Sequence, residues 1–316
     1  MDQIKKDIVW AGLELLRRGL AARTWGNISC RIDERRIAVT PSGMAYDVIT
    51  PDDIVIADLH TGLCQGKRQP TSELGVHINT YLARPETGFV IHTHQPFATA
   101  LSLGGYESLD AGVAPYGSPG SEKLSENVKE KIAEGFSTVL MAHHGALVAT
   151  KDMTEAFAMA EKLEKDCKEA FAADIGEETP DSAKAKKVLD IAKSAFKHCS
   201  VLSTPYTLAA ANMGKNILTQ LDDVAMMCGK EIPAVEADGI VPALKEYGTA
   251  LVKNVGAVCA CETEDDLEAM EKLTEKACIA FLHTEAIGAD GKLDSKDVSE
   301  LRENYLESYS KRFSGQ

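Results

Sequence analysis

The sequence has few basic residues, few aromatic residues and no long apolar run. Its 34 lysines and arginines are outnumbered by 48 acidic residues, so the 316-residue chain carries a formal net charge of −14. A nucleic-acid-binding surface requires a basic patch, and this balance therefore disfavours a nucleic-acid partner. No apolar run approaches the ~20 residues of a membrane-spanning helix. We expect neither a nucleic-acid partner nor a membrane partner.

The eight cysteines follow neither a disulfide framework nor a zinc-finger spacing. Reduced thiols are typical of the cytosol, and the N-terminal segment is amphipathic rather than the apolar core of a secretion signal. The predicted location is therefore cytoplasmic. With 44% apolar residues, the chain is long enough to bury the core of one large domain or two smaller ones.

Alternating helical and strand patterns run through the first half of the chain. Helical periodicity predicts an amphipathic helix at the N-terminus, and period-two alternation predicts a hairpin followed by further strands. Thr71 and Ser72 are good candidates for the N-cap of a helix that ends before Pro85. The predicted helices cover residues 73–84, 96–102, 121–135 and 152–173, and the predicted strands cover 29–32, 37–40, 53–59, 88–94, 138–142 and 146–150.

An internal repeat begins after a polar stretch at residues 174–181, which contains glycine and proline and predicts a linker. Residues 253–260 echo residues 142–149, and residues 204–206 echo residues 95–97, at an offset of 109 to 111 residues. We predict a complete unit at residues 1–175 and a truncated, degenerate second copy at residues 176–316. At the same offset, Val201 corresponds to His92, Ser203 to His94 and Val255 to His144. A position near Ser182 corresponds to Glu73.

The candidate site begins with two histidines at the end of a predicted strand. His92 and His94 are two residues apart, so both rings leave the same face of the strand. His144 follows another predicted strand and would supply a third nitrogen ligand. Three protein ligands with an open position are typical of a catalytic zinc ion rather than a structural one. Glu73, at the start of a predicted helix, is a candidate acid/base beside this metal.

Two further histidines flank these residues. His143 is adjacent to His144 and should point the other way, so we predict a packing or supporting role for it. His77 lies one helical turn beyond Glu73. A lone histidine on a helix is more often structural than catalytic, and we predict a structural role.

Five motifs in the first unit match a known family in order. They are Gly26-Asn27-Ile28-Ser29, Thr40-Pro41-Ser42-Gly43-Met44, Thr71-Ser72-Glu73, His92-Thr93-His94 and His143-His144-Gly145. On these motifs, residues 1 to about 175 resemble the class II aldolase/adducin family, and their pattern is closest to its L-fuculose-phosphate aldolases. The resemblance implies a three-layer α/β/α fold with a mainly antiparallel central sheet flanked by helices.

The resemblance also implies roles for individual residues. His92, His94 and His144 would bind Zn²⁺, although three imidazoles also accept Mn²⁺, Co²⁺ or Fe²⁺. Glu73 would be the catalytic acid/base. The substrate phosphate would be held by backbone amides and small hydroxyl groups of three turns, whose positions are Gly26, Asn27, Ser42, Gly43, Thr71 and Ser72. Glycine and serine let the backbone approach an anion closely, and a helix start offers unpaired N–H groups.

The activity implied by the resemblance is a metal-dependent aldolase-type lyase of carbohydrate metabolism. It would cleave a phosphorylated ketose, such as a sugar 1-phosphate, through an enediolate. Alternatives on the same site are an epimerase, a dehydratase or a decarboxylase, and a non-catalytic, adducin-like assembly protein is a third possibility. The epimerase branch carries aspartate where this chain has Glu73, so the residue favours the aldolase branch. The resemblance further implies a homo-oligomer, and the internal repeat suggests a dimer that forms a pseudo-tetrameric ring.

One departure from the family pattern concerns the acid on the aldehyde side of the substrate. The stretch between His94 and Tyr116 is shorter than in the aldolases and lacks the segment that carries their catalytic tyrosine. Tyr106 and Tyr116 lie nearby in sequence, yet neither aligns with that tyrosine. The second unit keeps a segment of the missing length, with Asp222 at the tyrosine position. The sequence therefore assigns no residue to this role.

Overall fold

The computed structural model describes residues 1–309 and divides the chain into two units, the first being Met1–Ala170 and the second beginning at Phe171. The first unit contains α1 (Asp2–Arg17), β1 (Asn27–Arg31), β2 (Arg36–Val39), a 3₁₀ turn (Pro51–Asp53), β3 (Val55–Asp58), β4 (Cys64–Gln65), α2 (Leu74–Ala83), β5 (Phe89–Thr93), α3 (Pro96–Leu101), β6 (Gly112–Ala114), α4 (Glu122–Ala133), β7 (Thr138–Met141), β8 (Gly145–Thr150) and α5 (Met153–Glu169).

An eight-stranded sheet forms the centre of the first unit, in the order β4-β3-β2-β1-β5-β8-β7-β6. Its pairings are antiparallel except that of β6 with β7. The predicted hairpin is confirmed as β1 and β2, with Ser29 opposite Val39. The central strand β5 pairs with β1 on one side and β8 on the other, so His92 lies opposite Asn27 and Leu147.

Helices cover both faces of this sheet, because side chains alternate between the two faces along each strand. Ile91 and Val148 pack with Ile8 of α1 and Phe157 of α5 in one apolar cluster. Residues one position away pack with α2 and α4 in a second cluster, which contains Val76, Val90, Leu124 and Leu147. The predicted α/β fold with a mostly antiparallel central sheet is confirmed, and His92 shares the face of Val90.

The start of α2 differs from the prediction. Its N-cap is Glu73, and neither Thr71 nor Ser72 occupies that position. The Thr71 backbone N–H donates to the carbonyl oxygen of Thr40 at 3.0 Å, and Pro41 pairs with Pro70 in an isolated β-bridge. These contacts hold the preceding turn against a neighbouring segment, so the helix begins after Glu73. The predicted cap of α5 is confirmed, because Asp152 Oδ1 accepts from the Glu155 N–H at 3.0 Å.

The second unit has its own strands and helices. They are α6 (Ser182–Lys193), β9 (His198–Leu202), α7 (Pro205–Asn212), β10 (Ile217–Leu218), α8 (Asp222–Cys228), β11 (Glu231–Ile232), a 3₁₀ turn (Ala237–Gly239), α9 (Ile240–Tyr247), β12 (Thr249–Val252), β13 (Gly256–Cys261), α10 (Glu264–Ile287), α11 (Ser295–Asn304) and a π-helical turn (Tyr305–Tyr309). One sheet has the order β12-β13-β9, and β10 pairs with β11 in another. An apolar cluster of this unit contains Val188, Leu244 and Val258.

Within residues 1–309, no helix combines the length and the apolar character that crossing a membrane requires. All eight cysteines are free thiols in the structure, as their irregular spacing predicts.

Candidate metal and acid/base site

Three histidines and one carboxylate meet where β5 ends, α2 begins and β7 turns into β8. His92 belongs to β5, His94 follows that strand, and His144 lies in the turn before β8. Glu73 approaches them from the start of α2. All four residues are buried, with exposed fractions of 1%, 8% and 3% for His92, His94 and His144 and 6% for Glu73. The structure therefore places the predicted metal ligands and the predicted acid/base in one cluster.

The reactive atoms of this cluster are within contact distance of one another. His92 Nε2 lies 2.9 Å from His94 Nε2. Glu73 bridges the other two rings, with Oε1 at 2.8 Å from His144 Nε2 and Oε2 at 3.2 Å from His92 Nε2. One ligand atom from each histidine lies within 4.8 Å of the others, as a shared metal ion requires.

The ring orientation of His92 fits a metal ligand. His92 Nδ1 lies 2.9 Å from the carbonyl oxygen of Ala146, which can only accept, so Nδ1 carries the proton. In the neutral ring, Nε2 then presents its lone pair to His94. A backbone carbonyl that fixes the tautomer in this way is a common support for a metal-binding histidine. Two imidazole nitrogens 2.9 Å apart need a proton or a cation between them, and three imidazoles beside a carboxylate suit a divalent metal.

Glycine and a left-handed residue bring the β7–β8 turn close enough to β5. A Cβ atom on Gly145 would lie 2.2 Å from the carbonyl oxygen of Thr93, so only glycine fits there. His143 has φ +65°, a left-handed conformation that reverses the chain immediately before His144. The His143 ring packs edge-on against Tyr116, at 5.4 Å between ring centroids, which agrees with the predicted packing role.

Burial and the facing rings have opposing effects on the pKa of Glu73. Burial raises the pKa of this carboxyl, but His92, His144 and the hydrogen bonds from His144 and Asn27 outweigh that effect and hold the pKa well below its usual range. Burial also lowers the pKa of His92 well below its usual range, against the attraction of the Glu73 carboxylate. Glu73 is therefore ionised at neutral pH and available as a base.

The predicted phosphate-binding turns belong to the first unit, and neighbouring residues connect them, because the Ile28 N–H donates to Thr40 Oγ1 at 3.1 Å. The turn with Ser42 and Gly43 lies beside the segment before Thr71 and Ser72, because the Ser42 N–H donates to the Gln69 carbonyl oxygen at 3.0 Å. Gly26 has φ +84°, and a Cβ there would lie 2.7 Å from the carbonyl oxygen of His92. This turn therefore borders the histidine cluster directly.

The side chain of Asn27 contacts Glu73 and His77. Its amide Nδ2 donates to Glu73 Oε2 at 2.7 Å, and its Oδ1 lies 2.5 Å from His77 Nε2. These contacts direct the side chain towards the acid/base, so only its backbone remains a candidate for binding phosphate. The same contacts connect His77 to the site. The sequence contains one signal for this connection, which is the four-residue spacing of Glu73 and His77 on one helix face.

Comparisons with known proteins match the first unit. The sequence model of the family described as Class II Aldolase and Adducin N-terminal domain matches residues 6–171. This range includes Glu73 and the three clustered histidines. A 5-deoxy-D-ribulose 1-phosphate aldolase of Bacillus thuringiensis serovar kurstaki is 30% identical over an alignment of 176 residues, and the match covers 52% of this chain and 82% of that relative.

Two solved structures also match about half of this chain. An L-fuculose 1-phosphate aldolase shares 30% sequence identity and covers 52% of this chain and 84% of its own chain, with a TM-score of 0.49. A sugar-phosphate aldolase from Thermotoga maritima shares 24% identity and covers 53% of this chain and 93% of its own, with a TM-score of 0.47.

Proposed function

Because this chain belongs to the class II aldolase and adducin family, we propose that its first unit is a metal-dependent aldolase-type lyase. The substrate would be a phosphorylated ketose such as a sugar 1-phosphate, as the names of the similar aldolases indicate for those proteins. The observation that supports this proposal most is the buried cluster of His92, His94 and His144 around the carboxylate of Glu73. A packing role alone would not require three rings and an ionised acid at such distances.

His92, His94 and His144 would hold one divalent cation, Zn²⁺ by their ligand type or another metal that imidazole accepts. When bound, this cation would act as a Lewis acid for the negative charge that C–C bond cleavage leaves on the ketose fragment. The Ala146 carbonyl would keep His92 in the tautomer that this role requires.

Glu73 would move the proton at the carbon atom of the broken bond. Its low pKa makes it a carboxylate before substrate binds, so in the direction of C–C bond formation it would take the proton from this carbon atom. In the direction of cleavage it would return a proton that it has accepted from the hydroxyl group that becomes the aldehyde. Both of its oxygens contact ring nitrogens in the structure, so substrate must displace at least one of these contacts. The low exposure of Glu73 excludes most water from the proton transfer.

Gly26, Ser42, Gly43, Thr71 and Ser72 would bind the substrate phosphate, together with the backbone of Asn27. Ser42 and Gly43 lie beside the segment that leads to Thr71, and α2 begins immediately after Ser72 and Glu73. The positive end of this helix dipole favours an anion near Ser72. This arrangement supports a phosphorylated substrate over the corresponding free sugar.

The second unit would be a truncated copy of the first without metal ligands, and the domains would cover residues 1–175 and 176–316. We propose that two chains associate as a homodimer in which four units form a pseudo-tetrameric ring. Free thiols throughout the chain support a reducing, cytoplasmic environment. Light scattering at micromolar concentration should give the mass of a dimer, and a monomeric mass would exclude the ring.

The experiment for this function combines metal content with product analysis. We expect the purified, untagged protein to hold about one divalent ion per chain and to release an aldehyde from at least one member of a panel of ketose 1-phosphates. The unphosphorylated ketoses are the matched controls. A metal-loaded protein that cleaves no member of the panel would contradict the aldolase assignment. Epimerised, dehydrated or decarboxylated products would assign the site to one of those reactions instead.

A further inference from the structure

A network of buried polar side chains extends from the interior of the first unit to Glu73. It runs through Tyr81, Ser29, His77 and Asn27 before it reaches the carboxylate. All four of these residues are buried, and His77 and Ser29 have no exposed surface. Tyr81 and His77 belong to α2, whereas Ser29 and Asn27 belong to β1. The network therefore connects the helix with the central sheet.

Each contact in this network joins two polar atoms at a short distance. Tyr81 Oη lies 3.0 Å from Ser29 Oγ. Ser29 Oγ lies 2.6 Å from His77 Nδ1. His77 Nε2 lies 2.5 Å from Asn27 Oδ1, and Asn27 Nδ2 donates to Glu73 Oε2 at 2.7 Å. The Tyr81–Ser29 and Asn27–Glu73 distances are within the range of good hydrogen bonds, and the two contacts of His77 are shorter.

The Asn27 amide sets the direction of the hydrogen bonds on either side of it, because its Nδ2 donates to Glu73 and its Oδ1 faces His77 Nε2. A carboxylate only accepts, so the Asn27 amide must face it with Nδ2, and Oδ1 must accept from His77 Nε2–H. A neutral His77 that is protonated at Nε2 has an unprotonated Nδ1, which accepts from the Ser29 hydroxyl. The donors of Asn27, His77 and Ser29 therefore point towards Glu73.

A reversed network is disfavoured. If His77 carried its proton on Nδ1, the Asn27 side chain would have to donate to Nε2 and would turn its carbonyl oxygen towards the Glu73 carboxylate. Two acceptors would then face each other in a buried site, without a proton between them. Burial lowers the pKa of His77 to about 4, in agreement with the neutral ring that the directed network needs.

We propose that His77 is a positioning residue, which fixes the Asn27 amide and thereby the orientation of the Glu73 carboxylate. This inference rests on the proposed function, because it assigns Glu73 as the acid/base. Without the His77 donor, the Asn27 amide can rotate, and Glu73 Oε2 loses the donor that fixes its position 3.2 Å from His92 Nε2. The network would thus hold the carboxylate at a constant angle when substrate displaces its ring contacts. The side chain of Asn27 acts here through Glu73, and its backbone remains the proposed phosphate-binding group.

The first test measures the His77 tautomer and does not depend on activity. Long-range nitrogen–proton correlation spectra of protein labelled with ¹⁵N in histidine distinguish the two neutral forms of each ring. The signals of His77 are assigned by their absence from the His77→Gln variant. We expect Nε2–H at His77 and, in the metal-free protein, Nδ1–H at His92, whose Nδ1 faces the Ala146 carbonyl. An Nδ1–H tautomer at His77 would overturn the proposal whatever the protein catalyses.

The second test compares two substitutions of His77 in the metal-loaded enzyme. His77→Leu fills the space without a donor, and we expect kcat to fall by about 10- to 100-fold with little change in KM. His77→Gln can still donate from its terminal amide to Asn27, and we expect it to recover most of the lost kcat. Thr80→Val is the matched control, because Thr80 is buried on the same helix and its hydroxyl donates to the Val76 carbonyl outside the network.

The outcomes separate this proposal from the proposed function. A wild-type enzyme that cleaves no phosphorylated ketose contradicts the function, while the tautomer measurement still supports or overturns the network. Equal kcat in His77→Leu and wild type would overturn the positioning role. A loss of kcat in His77→Leu that His77→Gln does not restore would assign His77 a structural role only. If His77→Leu does not fold, Asn27→Ala tests the same link to Glu73 and should lower kcat without removing the metal.

Discussion

The two units contain three-stranded segments with the same order and register. The first unit has β7-β8-β5 and the second has β12-β13-β9. Phe89 pairs with Thr150 in the first segment, and His198 pairs with Cys261 in the second, which keeps the offset of 109 to 111 residues found in the sequence. The outer strands agree too, because Thr138 lies opposite Val148, and Thr249 lies opposite Cys259.

The turn that carries the site also has the same backbone in both units. His143 and Asn254 occupy corresponding positions, with φ of +65° and +62°. A Cβ on Gly145 would lie 2.2 Å from the Thr93 carbonyl oxygen, and a Cβ on Gly256 would lie 2.4 Å from the Leu202 carbonyl oxygen. These features support the proposed repeat, since they depend on backbone geometry rather than on the candidate metal ligands.

The side chains at the site positions differ completely between the units. Val255 replaces His144 and belongs to a buried apolar cluster. Ser203 replaces His94, and its hydroxyl donates to the Val255 carbonyl at 2.7 Å. The three strands and the turn therefore do not require metal ligands for their geometry. The proposed chemistry of the first unit therefore depends on a few polar side chains, because the second unit has the same strands and turn with the apolar Val255 and with Ser203 at the corresponding positions.

The largest expected effect concerns the histidines themselves. His144→Ala should remove most of the bound metal and lower the cleavage rate by about a thousandfold or more, because stabilisation of the developing charge by the metal is worth several kcal/mol. The matched substitution Ser203→Ala in the second unit should leave metal content and rate unchanged. Elemental analysis and aldehyde release measure both. Full metal content in His144→Ala would contradict the proposed ligand set.

The second expected effect separates acid/base chemistry from metal binding. Glu73→Gln keeps the size of the side chain but removes the ionised base, and we expect kcat to fall by about 10²- to 10⁴-fold while the metal is retained. Ser182→Ala, near the corresponding position in the second unit, is the control and should be neutral. The measurement is kcat at saturating substrate beside metal content. An unchanged kcat would exclude Glu73 as the acid/base.

The third expected effect concerns a buried ion pair in the second unit. Lys276 Nζ contacts Asp223 Oδ2, and both side chains are almost fully buried. Lys276→Met leaves the Asp223 charge without this partner and should lower the free energy of unfolding of the second unit by about 3–5 kcal/mol. We expect hydrogen exchange to accelerate in α10, whereas metal binding by the first unit persists.

Lys272 provides the matched control for this prediction. It lies on the same helix and pairs with Glu268 at 2.6 Å, but its side chain is 52% exposed. Lys272→Met should change the free energy of unfolding by no more than about 1 kcal/mol, since water screens exposed ion pairs. Equal effects of the two substitutions would show that the buried pair has no special role in the stability of the second unit.

The smallest expected effect is the acid sensitivity of the first unit. The pKa of His77 is lowered from 6.5 to about 4 in the folded protein, so the unfolded chain binds the proton more tightly. Its contribution to stability is therefore complete above about pH 6.5 and is lost as pH falls towards 4, by about 3 kcal/mol in total. Both tryptophans, Trp10 and Trp25, lie in the first unit and report its unfolding by fluorescence.

His77→Gln should reduce the pH dependence of the free energy of unfolding by about 3 kcal/mol. Urea unfolding at several pH values between about 7 and 4 measures the free energy of unfolding of each protein. The difference between the two curves isolates His77 from other titrating groups. Parallel curves would show that the buried ring has the same proton affinity in the folded and unfolded states.

Much of the first unit could be predicted from sequence because the relevant signals are local. The period of two along β5 places His92 and His94 on one face, whatever the strand contacts. The Asp152 cap of α5 could be predicted because it depends on residues three positions apart. The prediction of Thr71 or Ser72 as the cap of α2 was wrong, because contacts of Thr71 with Thr40 and of Pro70 with Pro41 compete with the local preference.

By itself, the sequence determined the strand and helix pattern, the shared face of His92 and His94 and the family membership of residues 6–171. Only the tertiary structure decided which atoms of Glu73 face which rings and that Asn27 binds Glu73 through its side chain. It also connected His77 to the site. The physical reason is distance along the chain, since the contacts of Glu73 with Asn27 and His144 span 46 and 71 residues. Chain periodicity contains no information about such pairs, which form only when the helix and the sheet pack together.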